Sequence, residues 1–181
     1  MHLLPGGRHA LVGVGRGDGL GKEHLDVVSL ATGEHRFLLK DVLDARFDGQ
    51  GHLLYVPFGH SELAVVTFDD ARRTITGQPV TVLDGVALSL EGNAGYYAMA
   101  ANGTLAYAPA PQIGNPASWS PMEFVGRDGK VEPSDLPVAL NPRFSPDGRR
   151  LVYGSASAKT LDVFTYDLER KVAQRLTGDD G

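Results

Sequence analysis

Residues 13–24 read GVGRGDGLGKEH, and a glycine-rich loop ending in Gly-Lys is the kind of segment whose backbone N–H groups can cradle a phosphate. A phosphate loop needs glycine five places before Gly21 and Ser or Thr after Lys22, where this chain has Arg16 and Glu23. The spacing therefore excludes that chemistry. The same loop contains Arg16-Gly17-Asp18, a tripeptide that serves adhesion in some extracellular proteins. Asp18 among glycines offers a cation one carboxylate, but the alternating oxygen ligands of a dedicated calcium loop are missing. A flexible hairpin connection accounts for the segment.

A serine nucleophile needs Gly-x-Ser-x-Gly on a strand-to-helix elbow, with a histidine and an acid elsewhere. The nearest stretch is GHSEL, residues 59–63, where Leu63 replaces the second glycine. Ser61 and His60 are read as part of a loop between strands. Six histidines are present (His2, His9, His24, His35, His52 and His60), all at turns or strand edges and none in the His-x-x-x-His spacing of a zinc helix. The chain has no cysteine, which removes disulfides, thiolate catalysis and thiolate-bound zinc together. No catalytic, cofactor or metal residues are assigned, and the chain is not expected to be an enzyme.

What remains is a binding candidate. APAPQIGNPASWSPM, residues 108–122, carries four prolines and the only tryptophan. A proline-stiffened loop loses little entropy when it binds, and loops on a rigid scaffold are where recognition residues usually sit. Trp119, Gln112 and Asn115 are the candidate contacts. The alternative is a long connection whose Trp119 packs against its own scaffold.

The elements that would carry these loops follow from composition and repeat. Of 181 residues, 42% are apolar, and 17 basic residues face 22 acidic ones for a net charge of −5. That balance fits a globular chain and offers no electrostatic footprint for nucleic acid or anionic lipid. No apolar run approaches the roughly 20 residues that span a bilayer, so this segment is not expected to insert into a membrane. The opening MHLLPGGRHA lacks the basic-then-apolar pattern of a secretory leader.

The repeat is visible in RFSPDGRRLVY (143–153) and RFDGQGHLLY (46–55). Aligning Gly148 with Gly51 superimposes Leu140, Arg143, Phe144 and Tyr153 on Leu43, Arg46, Phe47 and Tyr55, with one extra residue after the later glycine. The template also fits at Gly103, with Met99 in the Phe place and Asn102 in the Asp place, and at Gly7, with Leu3 in the Phe place. The anchors are 44, 52 and 45 residues apart. After the first and last anchors come HLDVVSLATGEHRFLL and LDVFTYDLERKVAQRLT, sharing Leu-Asp-Val. Each unit reads as four short strands separated by Asp/Asn-Gly punctuation, and no long window has helical spacing. Four strands recurring at this period predict an all-β chain of β-propeller blades, about four of them, over residues 1–40, 41–86, 87–138 and 139–178.

SPDG, residues 145–148, is a hairpin device: Pro146 presets φ at the first corner, Asp147 bonds local backbone, and Gly148 supplies positive φ. PRFSPDGRRLVYGS followed by DVFTYDL and RLT resembles the repeat of TolB-like propellers, a WD40-like (PD40) group. The order of LPGGRHALV, DVVSLATGEHRFLL, GHLLYVPF, GQPVTVLDGV, NGTLAYAPA, GRDGK and FSPDGRRLVY is similar to the extracytoplasmic propeller of bacterial receptor-type serine/threonine kinases. The resemblance implies a non-catalytic binding or scaffold module, periplasmic or extracytoplasmic, with a protein or small-molecule ligand. Two alternatives stay open: the regulatory propeller of a prolyl-oligopeptidase-type serine peptidase, or a TolB-type envelope interaction module. TolB-like rings have six or more blades. Four blades would then form an open arc or part of a larger ring, with end blades available for self-association.

Overall fold

The computed structural model describes residues 1–15, 23–42, 44–89, 94–110, 121–136, 140–156 and 161–177, and among them every element is a β-strand. The first sheet runs β1 (His2–Leu3), β2 (His9–Val14), β3 (His24–Ser29), β4 (His35–Lys40). The second runs β5 (Ala45–Phe47), β6 (His52–Tyr55), β7 (Leu63–Asp69), then an outer strand in two pieces, β8 (Thr74–Ile75) and β9 (Val80–Leu83). The third runs β10 (Tyr97–Met99), β11 (Leu105–Tyr107), β12 (Glu123–Val125), β13 (Val131–Pro133). The fourth runs β14 (Leu140–Phe144), β15 (Arg150–Ala156), β16 (Leu161–Asp167), β17 (Val172–Arg175). Neighbours are antiparallel throughout. These are the expected four propeller blades.

The split outer strand of blade 2 was not anticipated. β8 pairs with the far end of β7 and β9 with its near end. Gly77 lies beneath Thr67, where an added Cβ would stand 3.1 Å from its Oγ1. Pro79 has no N–H for the ladder. The ladder therefore breaks between the two pieces.

The four anchor glycines occupy one structural position. Gly7, Gly51, Gly103 and Gly148 have φ of 64°, 97°, 87° and 69°, and each follows the first strand of its blade by the same interval. The residue three places before each glycine closes the turn: Leu4 N donates to His9 O, Asp48 N to His52 O, Ala100 N to Thr104 O and Ser145 N to Arg150 O. The second and third turns are one residue tighter than the first and fourth. This is the extra residue seen after Gly148 in the alignment. Short side chains complete the turns, as Asp147 Oδ1 accepts from Arg149 N and from the Ser145 hydroxyl.

The chain forms two compact units, Met1–Gly95 and Tyr96–Gly181, of two blades each. In the first, Leu11, Leu25, Val27 and Leu38 of blade 1 pack with Leu53, Tyr55, Val66 and Phe68 of blade 2. In the second, Ala98, Ala106, Met122 and Leu136 of blade 3 pack with Leu151, Tyr153 and Tyr166 of blade 4, and Tyr153 stacks on Phe164. Alternate residues of one strand point to opposite faces, so each covered row leaves a second row on the other side of its sheet.

Two outcomes test these assignments. Gly148→Val forces a β-branched residue to positive φ and should cost about 1 to 3 kcal/mol, seen as a lowered melting temperature; an unchanged value would contradict the turn. Asp48 supplies the second test. Burial pushes its carboxyl up, but hydrogen bonds from the backbone N–H groups of His52 and Gln50 and from the His52 ring prevail and hold it below the ordinary value. A depressed carboxylate stabilises the fold above its unfolded pKa, and that stabilisation is lost as pH falls through its folded value. The gap in urea midpoint between wild type and Asp48→Ala should thus be full at neutral pH and shrink below about pH 4. A gap that widens on acidification would contradict it.

Candidate interaction surface

Ala108 and Met122 anchor the two ends of the proline-rich loop. Ala108 N donates to Tyr96 O, Met122 N to Leu136 O, and the Ser134 hydroxyl to Met122 O, and both residues are fully buried. Trp119, Gln112 and Asn115 lie outside the described residues, as do Arg16, Asp18 and Lys22. Ser61 and His60 stand in the connection before β7. Val86 N donates to Ser61 O, and the His60 ring faces Glu62 at 3.3 Å, both side chains being exposed. The structure does not join Ser61 and His60 into a hydrogen-bonded pair among its described contacts.

One cluster escaped the sequence reading. Asp26 is buried on the face of blade 1 that looks away from blade 2, with His35 Nδ1 at 2.8 Å from Oδ2 and His24 Nε2 at 3.4 Å from Oδ1. His24 and Asp26 share that face because they are two apart on β3, and His35 comes alongside from β4, opposite Val28. Asp26 Oδ1 is enclosed and receives no hydrogen bond. A cleft of about 630 Å³ opens beside the cluster, lined by Val14, Gly15, Val28 and Gly33 as well as the three ionisable residues. His35 paired to a carboxylate is a base in a fixed orientation, but no serine, threonine or lysine is among the described lining residues. The two histidines hold a buried carboxyl group in place. Only the i, i+2 spacing of His24 and Asp26 was readable; the third member needed the β3–β4 register.

Blade 4 carries a row of exposed apolar side chains. Its Phe144, Leu151, Tyr153 and Tyr166 face blade 3, which turns Val152, Leu161, Val163, Val172 and Leu176 outward at 38%, 66%, 38%, 58% and 54% exposure. The Asp-to-Arg-Leu-Thr portion of the repeat holds this sheet together. Asp162 Oδ1 accepts from Arg175 and from the Thr177 hydroxyl, both at 2.9 Å, and Thr177 Oγ1 accepts from Val163 N. Around the turns of the same blade a cleft of about 640 Å³ is lined by Asp147, Arg149, Arg150, Asp167, Glu169 and Arg170. Asp147 is held low by the Ser145 hydroxyl and Arg149 N, and Asp167 by Arg170 N.

No family model and no curated protein matches the chain. Solved structures do. TolB from Acinetobacter baumannii superimposes with a TM-score of 0.71 at 17% identity, covering 99% of this chain and 43% of TolB. A putative TolB from Agrobacterium tumefaciens gives 0.69 at 14% identity, with 98% and 61% covered. A puromycin hydrolase gives 0.60 at 18% identity, with 99% and 29% covered. At these identities the likeness shows the fold alone, a β-propeller. The chain spans less than two thirds of each of these three proteins.

His35→Ala would remove the 2.8 Å partner of the buried Asp26 carboxyl, and because the His35 side chain is itself 70% exposed and His24 stays beside Asp26, the cost should be about 1 kcal/mol. His60→Ala, at an exposed ion pair, should cost less than about 0.5 kcal/mol. Paired urea titrations check the contrast; equal midpoints for the two variants would remove the buried-anchor role of Asp26.

Proposed function

We propose that this chain is a non-catalytic protein-binding module on a TolB-like propeller scaffold. The observation that carries this reading is the outward face of blade 4, where five large apolar side chains sit at 38% to 66% exposure within a rim of charged turns. Surfaces of that kind are costly to leave in water and mark contact sites. Residues 1–181 act in this reading as part of a propeller region in a larger bacterial protein, with blades near 1–40, 41–86, 87–138 and 139–178. The sequence resemblance favours the extracytoplasmic sensor of a receptor-type serine/threonine kinase as that protein. Trp119, Gln112 and Asn115 are proposed as a second recognition region.

A second reading is supported by the likeness to a puromycin hydrolase. The propeller would then control access to a separate peptidase domain, and the nucleophile would lie outside these 181 residues. Both readings require that Ser61 and His60 perform no chemistry.

Purified protein should therefore give no turnover of p-nitrophenyl esters or peptide anilides above the uncatalysed rate. Turnover that disappears in Ser61→Ala or His60→Ala would overturn the non-catalytic reading.

A further inference from the structure

The residue five places before an anchor glycine opens one row across its sheet. In blade 1 that row is His2, Leu11, Val27, Arg36, and in blade 3 it is Ala98, Ala106, Phe124, Glu132. The first row faces blade 2 and the second faces blade 4. Their outer members differ in sign. Arg36 donates its guanidinium N–H groups to the carbonyls of Arg72 and Arg73 in the β7–β8 turn of blade 2. The matching turn of blade 4 joins β16 to β17, with Asp167 paired to Val172 as Asp69 is to Thr74. Lys171 there repeats the left-handed backbone of Arg73, at φ 54° against 55°. Glu132 holds the Arg36 place at this second seam, and among the described residues no side chain donates to the carbonyls of Arg170 and Lys171.

A cavity of about 170 Å³ opens at the second seam, and its lining includes Phe124, Glu132, Asp135, Tyr166, Leu168 and Lys171. That volume is below the roughly 300 to 1,000 Å³ of a pocket for a whole small molecule and suits one side chain. Tyr166 is 7% exposed. Among the described residues its hydroxyl makes no hydrogen bond, yet it is not enclosed, so it opens into the cavity. Burial and the Asp135 carboxylate push that hydroxyl up, which keeps it protonated. Asp135 has no ion-pair partner among the described residues. Glu132 has Lys130 at 3.4 Å, a pair exposed on both sides and therefore weak. Two carboxylates beside two aromatic residues match a guanidinium, which stacks on aromatic faces and binds a carboxylate through two parallel N–H groups. The ammonium of Lys171 is compatible with that occupant, since Arg73 stands at the same turn position while Arg36 bonds its carbonyl.

We propose that the seam between blades 3 and 4 binds an arginine side chain of another polypeptide, whose guanidinium takes the place that Arg36 fills from within at the seam between blades 1 and 2. Its N–H groups meet Asp135 and Glu132, with the carbonyls of Arg170 and Lys171 as further acceptors, and its plane lies against the aromatic lining. This site is separate from the outward face of blade 4, and neither depends on the other.

Nuclear magnetic resonance titration of the purified chain with acetyl-Gly-Arg-Gly-amide, the same peptide carrying citrulline for arginine, and free arginine tests this. The arginine peptide should bind with a Kd below about 1 mM and shift the backbone amides of Phe124, Asp135 and Lys171. Citrulline keeps the shape and loses the charge, so its peptide should bind at least about tenfold more weakly. Free arginine brings its own carboxylate toward Asp135 and Glu132 and should also bind more weakly than the peptide. Asp135→Asn, at an exposed position, should weaken the arginine peptide about tenfold. Glu132→Arg supplies the seam with its own guanidinium, so it should abolish peptide binding and raise the urea midpoint, and circular dichroism checks that its sheets are kept. An arginine peptide with no saturable shifts below about 10 mM, a citrulline peptide or free arginine that binds as tightly, an Asp135→Asn chain with unchanged affinity, or a Glu132→Arg chain that still binds or is destabilised would each overturn the proposal. These outcomes are independent of the hydrolysis assay, which tests the non-catalytic reading by itself.

Discussion

A four-stranded antiparallel sheet with strands of two to seven residues has two faces and no means of burying either on itself. Everything else in this structure answers that constraint. Blade 1 meets it with Leu11, Leu25 and Val27 against Leu53, Tyr55 and Val66 of blade 2, and blade 4 meets it with Leu151, Tyr153 and Tyr166 against blade 3. Burial of such side chains is worth about 1.5 to 3 kcal/mol each, while an exposed turn or ion pair contributes well under that. Stability in such a stack is a sum of weak units and strong interfaces between neighbours.

Polar groups in the blades serve this packing by fixing strand positions. Asp162, Arg175 and Thr177 tie β16 to β17 at one end of blade 4, and Asp167 Oδ1 accepts from Glu169 N and Arg170 N at the other. Asp69 does the same for blade 2 by accepting from Arg72 N. Blade 1 uses a different set, Asp26 with His24 and His35, because His24 occupies the register position that Asp162 holds in blade 4. The repeat preserves the side-chain faces and lets the polar partners vary.

The anchor glycines were legible in the sequence because positive φ penalises every side chain, so the turn leaves a residue type at a fixed place. The alternation of apolar residues was legible for the same local reason. Register was not. The Leu-Asp-Val motifs of blades 1 and 4 look equivalent, yet Leu25 occupies the structural place of Val163, two residues along; a shift of two keeps every side chain on its face, and sequence alone is blind to it. The break at Gly77 to Pro79 and the Asp26 cluster were likewise set by cross-strand neighbours. The recognition loop around Trp119 offered composition without a repeat to fix its geometry, and it lies outside the described residues.

If neighbour packing governs the fold, two register-equivalent residues should differ in energy according to whether a blade covers them. Leu11 and Val152 form such a pair, one buried against blade 2 and the other outward on blade 4. Urea unfolding at low protein concentration should give a loss of about 2 to 4 kcal/mol for Leu11→Ala and less than about 1 kcal/mol for Val152→Ala. Comparable losses at the two positions would contradict the account.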